Sequence, residues 1–75
     1  MAATTFSEAE RKVLIYLRDH RGYHSPYTIA RDLAMNPREV IRILEELSAR
    51  GLVRQSLANP VYGITDQGRA AIGEG

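Results

Sequence analysis

Twice in this chain a helix-capping residue stands directly before a proline, at Ser25-Pro26 and again at Asn36-Pro37. Proline is tolerated at the first helical position, where its missing N–H has no intrahelical partner to lose. Each pair therefore marks a helix start. Asn36-Pro37-Arg38-Glu39 adds an acid at the third helical position, completing the start signal. Two starts this close leave room only for a short helix, about Pro26 to Leu33, and a tight turn at Ala34-Met35. The next helix runs from Pro37 to about Arg50, where Gly51 stops it.

Upstream, Ser7 and Glu10 have the capping-box spacing. At about 100° per residue, Phe6, Ala9, Val13, Tyr16 and Leu17 share one face, with Leu14 on its edge. Glu8, Arg11, Lys12, Arg18 and Asp19 lie opposite, and Ile15 stands alone among them. This first helix should end by Arg21, before Gly22. Tyr23 to Ser25 is a connection with room for a very short strand. The second helix turns Ile29, Ala30 and Leu33 inward; the third turns Val40, Ile43, Leu44 and Leu47 inward. Arg38, Arg42, Glu45 and Ala49 face outward, with Ile41 on the boundary.

After Gly51 the periodicity changes. Leu52 to Leu57 is extended, Ala58-Asn59-Pro60 is a turn, and Val61 to Ile64 is extended again. Such a hairpin is too small to stand alone and must pack on the helices. Thr65 caps a last helix, Asp66 to about Ile72, before a frayed Gly-Glu-Gly end. The expected class is α+β: a three-helix core, a two-stranded hairpin and a short C-terminal helix. A chain of 75 residues is read as one domain, residues 1–75, with an ordered core over about residues 6–72.

Composition narrows the function. With no cysteine, packing alone must hold the fold, and the margin at this size is about 3–5 kcal/mol. No apolar run approaches the roughly 18 residues of a membrane span, and Met1 to Thr5 lacks the features of a signal peptide. The expected location is cytoplasmic. Formal charge is only +1, so a nucleic-acid reading must rest on where the charges lie. The glycines match no phosphate-cradling pattern, and no nucleophile stands beside a base and an orienting acid. Neither catalysis nor a cofactor or small-molecule ligand is expected. His20 and His24 have the spacing of a helical metal pair, but Gly22 and Pro26 interrupt the helix there. Without cysteines or a carboxylate cluster they read as surface or phosphate-contacting histidines, and no metal is expected.

Several stretches carry a family likeness. Ala30, Ala34, Val40 and Ile43 have the helix-turn-helix spacing, a small residue where the helices cross and apolar anchors beyond the turn. Leu44 to Val53, L-E-E-L-S-A-R-G-L-V, resembles the end of the recognition helix and first wing strand of bacterial and archaeal transcription regulators. Tyr62 to Arg69 resembles the Y-x-[IL]-T-x-x-G-R signature that closes the wing in the same group. From about Ser7 to Ile72 the chain is similar to winged helix-turn-helix domains of the MarR and PadR types and to minimal repressors of archaeal phages. One departure is Ala34, where the family usually has glycine in a left-handed turn; alanine there costs roughly 1 kcal/mol.

The resemblance implies a sequence-specific regulator of transcription, a repressor, that lays its third helix in the major groove of duplex DNA. The base-reading positions then fall on Arg38, Ile41, Arg42 and Glu45, and Asn36 with the first N–H groups of the helix would hold a phosphate. Arg54 and Asn59 of the wing would meet the backbone or minor groove. No acid lies between Leu47 and Thr65. A homodimer is expected from the two-fold symmetry common among such regulators, with Ile15 as its interface candidate. Blander readings stand beside these. Arg38 and Arg42, near Glu39, Glu45 and Glu46, also fit a solvated face of helix ion pairs. Ile41 also fits the edge of the core, and Arg54 a lone exposed arginine. The uncharged wing tip argues for little minor-groove contact. The alternative function is a protein–protein interaction module, and RNA binding is disfavoured by the lack of stacking aromatics on an open sheet.

Overall fold

The protein is seen in a computed structural model that describes residues 6–73. Met1 to Thr5, read above as lacking a targeting segment, and the last two residues of the C-terminal end lie outside the described residues. The elements run α1 (Glu8–Asp19), α2 (Pro26–Leu33), α3 (Pro37–Ala49), β1 (Val53–Gln55), β2 (Tyr62–Ile64) and α4 (Asp66–Ala71).

Each helix starts where its cap predicts. In α1 the Glu10 N–H donates to Ser7 Oγ at 3.1 Å and the Ser7 N–H to Glu10 Oε1 at 2.9 Å, a complete capping box. Ser25 Oγ accepts the Thr28 N–H at 3.1 Å, and Asn36 Oδ1 accepts the Arg38 N–H at 2.8 Å. α1 ends at Asp19, ahead of Gly22 as its sequence suggests. His20 is already extended there, because the chain must turn to bring His24 beside Tyr62. Leu14, expected at the edge of the α1 stripe, is fully buried. The reason is that α1 is covered from two sides, by α2 and α3 and also by β2 and α4. Leu33, expected inside, is half-buried, while Pro26 at the other end of α2 is buried.

The turn between α2 and α3 closes on Ala34, whose φ of 56° and ψ of 46° are left-handed. Its N–H donates to Arg31 O at 3.3 Å and the Met35 N–H to Ala30 O at 2.8 Å. Ala30 is buried in the core, so a larger side chain there would overpack it. An L-residue in the left-handed region costs roughly 1–2 kcal/mol, and glycine returns part of that in backbone entropy. Ala34→Gly is therefore expected to stabilise the domain by about 0.5–1 kcal/mol. A urea midpoint that stays put or falls would show that the turn is unstrained.

The strands β1 and β2 pair antiparallel, with Val53 opposite Ile64, Arg54 opposite Gly63 and Gln55 opposite Tyr62. His24 adds a third short edge through two bonds of 2.9 Å with Tyr62. The pleat sends Val53 and Tyr62 into the core and Arg54 to the opposite face. Thr65 ties α4 to the joint between α3 and β1. Its hydroxyl accepts the Gly68 N–H at 3.0 Å and donates to Gly51 O at 2.7 Å, while its own N–H donates to Leu52 O at 3.1 Å. That arrangement is the physical content of the T-x-x-G part of the wing-closing signature.

One polar contact joins α1 to α2: the Tyr16 hydroxyl donates to Asp32 Oδ2 at 2.6 Å. This bond, and a second from Arg31, hold the Asp32 carboxyl below its ordinary range. The bond to Asp32, with burial adding to it, holds the Tyr16 phenol above its own range. A depressed carboxyl contributes stability that is present above its unfolded value, about 3.9, and lost as pH falls through the folded one. A raised phenol contributes stability that is present below about 10 and lost as pH rises through its folded value. Tyr16→Phe should thus lower the melting temperature at neutral pH and flatten its fall at both extremes. A wild-type slope that persists in Tyr16→Phe would assign the pH dependence to other groups.

Candidate nucleic-acid interface

The inward stripe of α3, Val40, Ile43, Leu44 and Leu47, is buried, and this sets what the opposite face presents. Arg38, Arg42 and Glu45 are exposed on that face, and Ile41 is half-buried at its margin. Asn36, Arg38, Glu39 and Arg42 line one shallow concavity at the start of the helix. The described residues hold three ion pairs, Arg18–Asp19 at 3.0 Å, Arg31–Asp32 at 3.1 Å and Arg69–Asp66 at 3.2 Å. None involves α3. Arg38 and Arg42 thus sit one turn apart without a carboxylate on either, although three glutamates share their helix. Like charges at this spacing repel, and a bound anion would relieve the repulsion.

The N-terminus of α3 offers less to a phosphate than its sequence suggests. Pro37 has no N–H, and that of Arg38 is already taken by Asn36. Of the first three helical positions only Glu39 keeps a free backbone donor.

Arg54 and Asn59 are exposed on the hairpin, and the structure does not bring Arg54 into the concavity of Arg38 and Arg42. Arg54 lies on the sheet face opposite the core, among Tyr23, Gln55, Ser56, Leu57 and Ala58. Asn59 sits at the tip, its carbonyl accepting the Val61 N–H at 2.8 Å. On α1, Ile15 is half-buried and packs against the core, so only part of it is open to a partner. Glu45 lies near enough to Tyr62 that its charge adds to burial in raising the Tyr62 phenol above its ordinary range.

His20 and His24 form a ring cluster with Tyr16. His20 stacks on Tyr16 at 4.0 Å between centroids, and its Nδ1 lies 2.8 Å from Tyr16 O. His24 Nε2 lies 2.9 Å from His20 O and 3.1 Å from Arg21 O. A ring nitrogen facing a carbonyl carries its hydrogen, so these two nitrogens donate and are turned away from metal ligation. Among the described residues no group of three or more His, Cys, Asp or Glu side chains could hold a metal ion. Also among them, no helix is long and apolar enough to cross a membrane.

Among the described residues three large hydrophobic side chains are exposed, Tyr23, Tyr27 and Leu57, beyond the site residues that the sequence suggests. Tyr27 had a signal, since it lies off the inward stripe of α2. Tyr23 and Leu57 lie in connections, where periodicity says nothing about exposure.

No protein-family model matches the chain, and no curated protein matches it. Solved structures do. The Zalpha domain of Cyprinid Herpesvirus3 ORF112, whose binding mode to Z-DNA is known, is 32% identical with a TM-score of 0.71, over 81% of this chain and 100% of that domain. Sco5413, a MarR family transcriptional regulator from Streptomyces coelicolor, is 25% identical with a TM-score of 0.81, over 89% of this chain and 49% of its own. A MarR family regulator from Rhodococcus sp. RHA1, at 21% identity and a TM-score of 0.80, shares the fold over 89% of this chain and 51% of its own. The chain thus spans about half the length of these two regulators. The hairpin after α3 is the wing, α2 and α3 are the helix-turn-helix, and the chain belongs to the winged helix-turn-helix family.

Proposed function

We propose that this domain binds duplex DNA through α3 and regulates transcription as a sequence-specific repressor. The observation that carries the reading is the unpaired Arg38–Arg42 couple on the exposed face of α3. An arginine in the major groove meets guanine O6 and N7 bidentately, and the half-buried Ile41 beside the couple suits a thymine methyl. Glu45 suits a cytosine amine, and Asn36 with the Glu39 N–H suits a phosphate. The Zalpha relative binds Z-DNA and the MarR relatives are transcriptional regulators, which supports DNA as the partner.

Fluorescence anisotropy of a labelled random duplex, at about 50 and 200 mM salt, tests the reading. With two or three phosphate contacts, affinity should fall about 10- to 40-fold between the two. A matched duplex held in the Z form separates the two docking modes, since major-groove reading by α3 requires the B form to bind at least as well. Absence of binding to every duplex would refute the proposal and put the protein-interaction module in its place. Two-fold pairing through the open part of Ile15 would double the DNA site read. The pairing predicts that Ile15→Thr shifts sedimentation from dimer to monomer, and a native protein that sediments as a monomer excludes it.

A further inference from the structure

The sheet face opposite the core carries a second surface. The His24–Tyr62 bridge sets Tyr23 beside Gly63, and Gly63 pairs with Arg54, so Tyr23, Gly63 and Arg54 form one row across the two strands and the short edge at His24. The tyrosine ring lies against Gly63: a Cβ there would be in ordinary van der Waals contact with it, 3.6 Å from both Cδ2 and Cε2 of Tyr23, while its tight contact, 3.0 Å, would be with Gly22 O. Tyr23 as a residue nonetheless stays 47% exposed. Leu57, 106% exposed at the wing tip, lines the same concavity, together with Gln55, Ser56 and Ala58. Two of the three exposed large hydrophobic side chains among the described residues thus gather around one arginine.

Charge selects the occupant. No lining residue is acidic, and Arg54 enters none of the three ion pairs of the described residues. The complement is anionic and brings flat groups to stack on Tyr23 and apolar surface to cover Leu57. A second copy pairing face to face would set Arg54 against Arg54. A duplex keeps its bases stacked on one another and has no free ring to offer. Tyr23 is a stacking aromatic on an open sheet face, contrary to the expectation from sequence that none stands there. We propose that this face binds single-stranded nucleic acid, with an unstacked base on Tyr23 and the adjoining phosphate on Arg54. The site is separate from the α3 couple, so the domain would hold an unpaired strand beside the wing independently of any duplex on α3.

Amide chemical-shift mapping with oligo-dT of about ten nucleotides, paired with anisotropy of the same labelled strand, tests this. Shifts should centre on Tyr23, Arg54, Leu57 and Gly63. Tyr23→Leu keeps a side chain over Gly63 but removes the stacking face, and should weaken oligo-dT binding about 5- to 100-fold while leaving duplex affinity unchanged. Arg54→Gln should weaken it and reduce its salt dependence. Duplex binding is read separately, so the α3 proposal and this one can fail independently. No binding of oligo-dT, or shifts confined to α3, would overturn the inference. So would a polyglutamate peptide that moves the same amides while Tyr23→Leu binds oligo-dT normally, since the face would then read charge alone and suit an acidic protein.

Discussion

Gly68→Ala is expected to remove most of the stability of the domain. A Cβ at this position would penetrate the carbonyl oxygen of Leu52 and stand 2.7 Å from Ile64 Cγ1. The isoleucine can turn aside, but the carbonyl cannot. Leu52 O accepts the Thr65 N–H at 3.1 Å, and the Leu52 N–H is held by Leu47 O at 3.0 Å. Moving that peptide would break the joint where α3, β1 and α4 meet. Overpacking against fixed backbone costs about 3 kcal/mol, against a margin of about 3–5 kcal/mol for a disulfide-free chain of this size. The expected result is a thermal transition that is shallow or lost, with ligand-binding surfaces lost alongside. Gly51→Ala is the informative comparison. Its φ of +78° is strained for alanine, but its Cβ would meet only the mobile end of Gln67 at 2.9 Å. The cost there is about 1–2 kcal/mol and the domain still folds. Equal losses in the two variants would mean that the Leu52 contact is not what requires glycine at position 68.

The second large effect concerns DNA. Arg42→Ala should cost about 1–3 kcal/mol of specific binding, and Arg38→Ala/Arg42→Ala together should leave only weak, salt-sensitive association. Stability should move the other way. Neither arginine has a carboxylate partner to lose, and removing one relieves a like-charge contact across a helical turn, worth a few tenths of a kcal/mol. Lost binding in a domain with an unchanged or slightly raised urea midpoint would separate a recognition role from a structural one. Unchanged duplex affinity in the double variant would exclude α3 as the docking helix.

What could be read from the chain alone follows from the range of the forces involved. Caps, prolines and stop glycines act within four residues, so Ser7, Ser25, Asn36 and Thr65 mark the helix starts, and Gly51 marks the end of α3. The inward stripe of α3 was equally legible, because a helix repeats its facing every few residues. The left-handed turn at Ala34 was reached through family likeness and has the geometry expected of it. The chemistry of the exposed face was legible only as a list of residue types. Whether Arg38 and Arg42 pair with neighbouring glutamates depends on rotamers that periodicity does not contain. The second cover over Leu14, the bond from Tyr16 to Asp32 and the row of Tyr23, Gly63 and Arg54 lie further out of reach. Each joins residues from separate elements, and each exists only because packing and a single strand bridge bring those elements together. Local hydrogen bonding decided where the helices begin, and tertiary packing decided which of their side chains remain open to a partner.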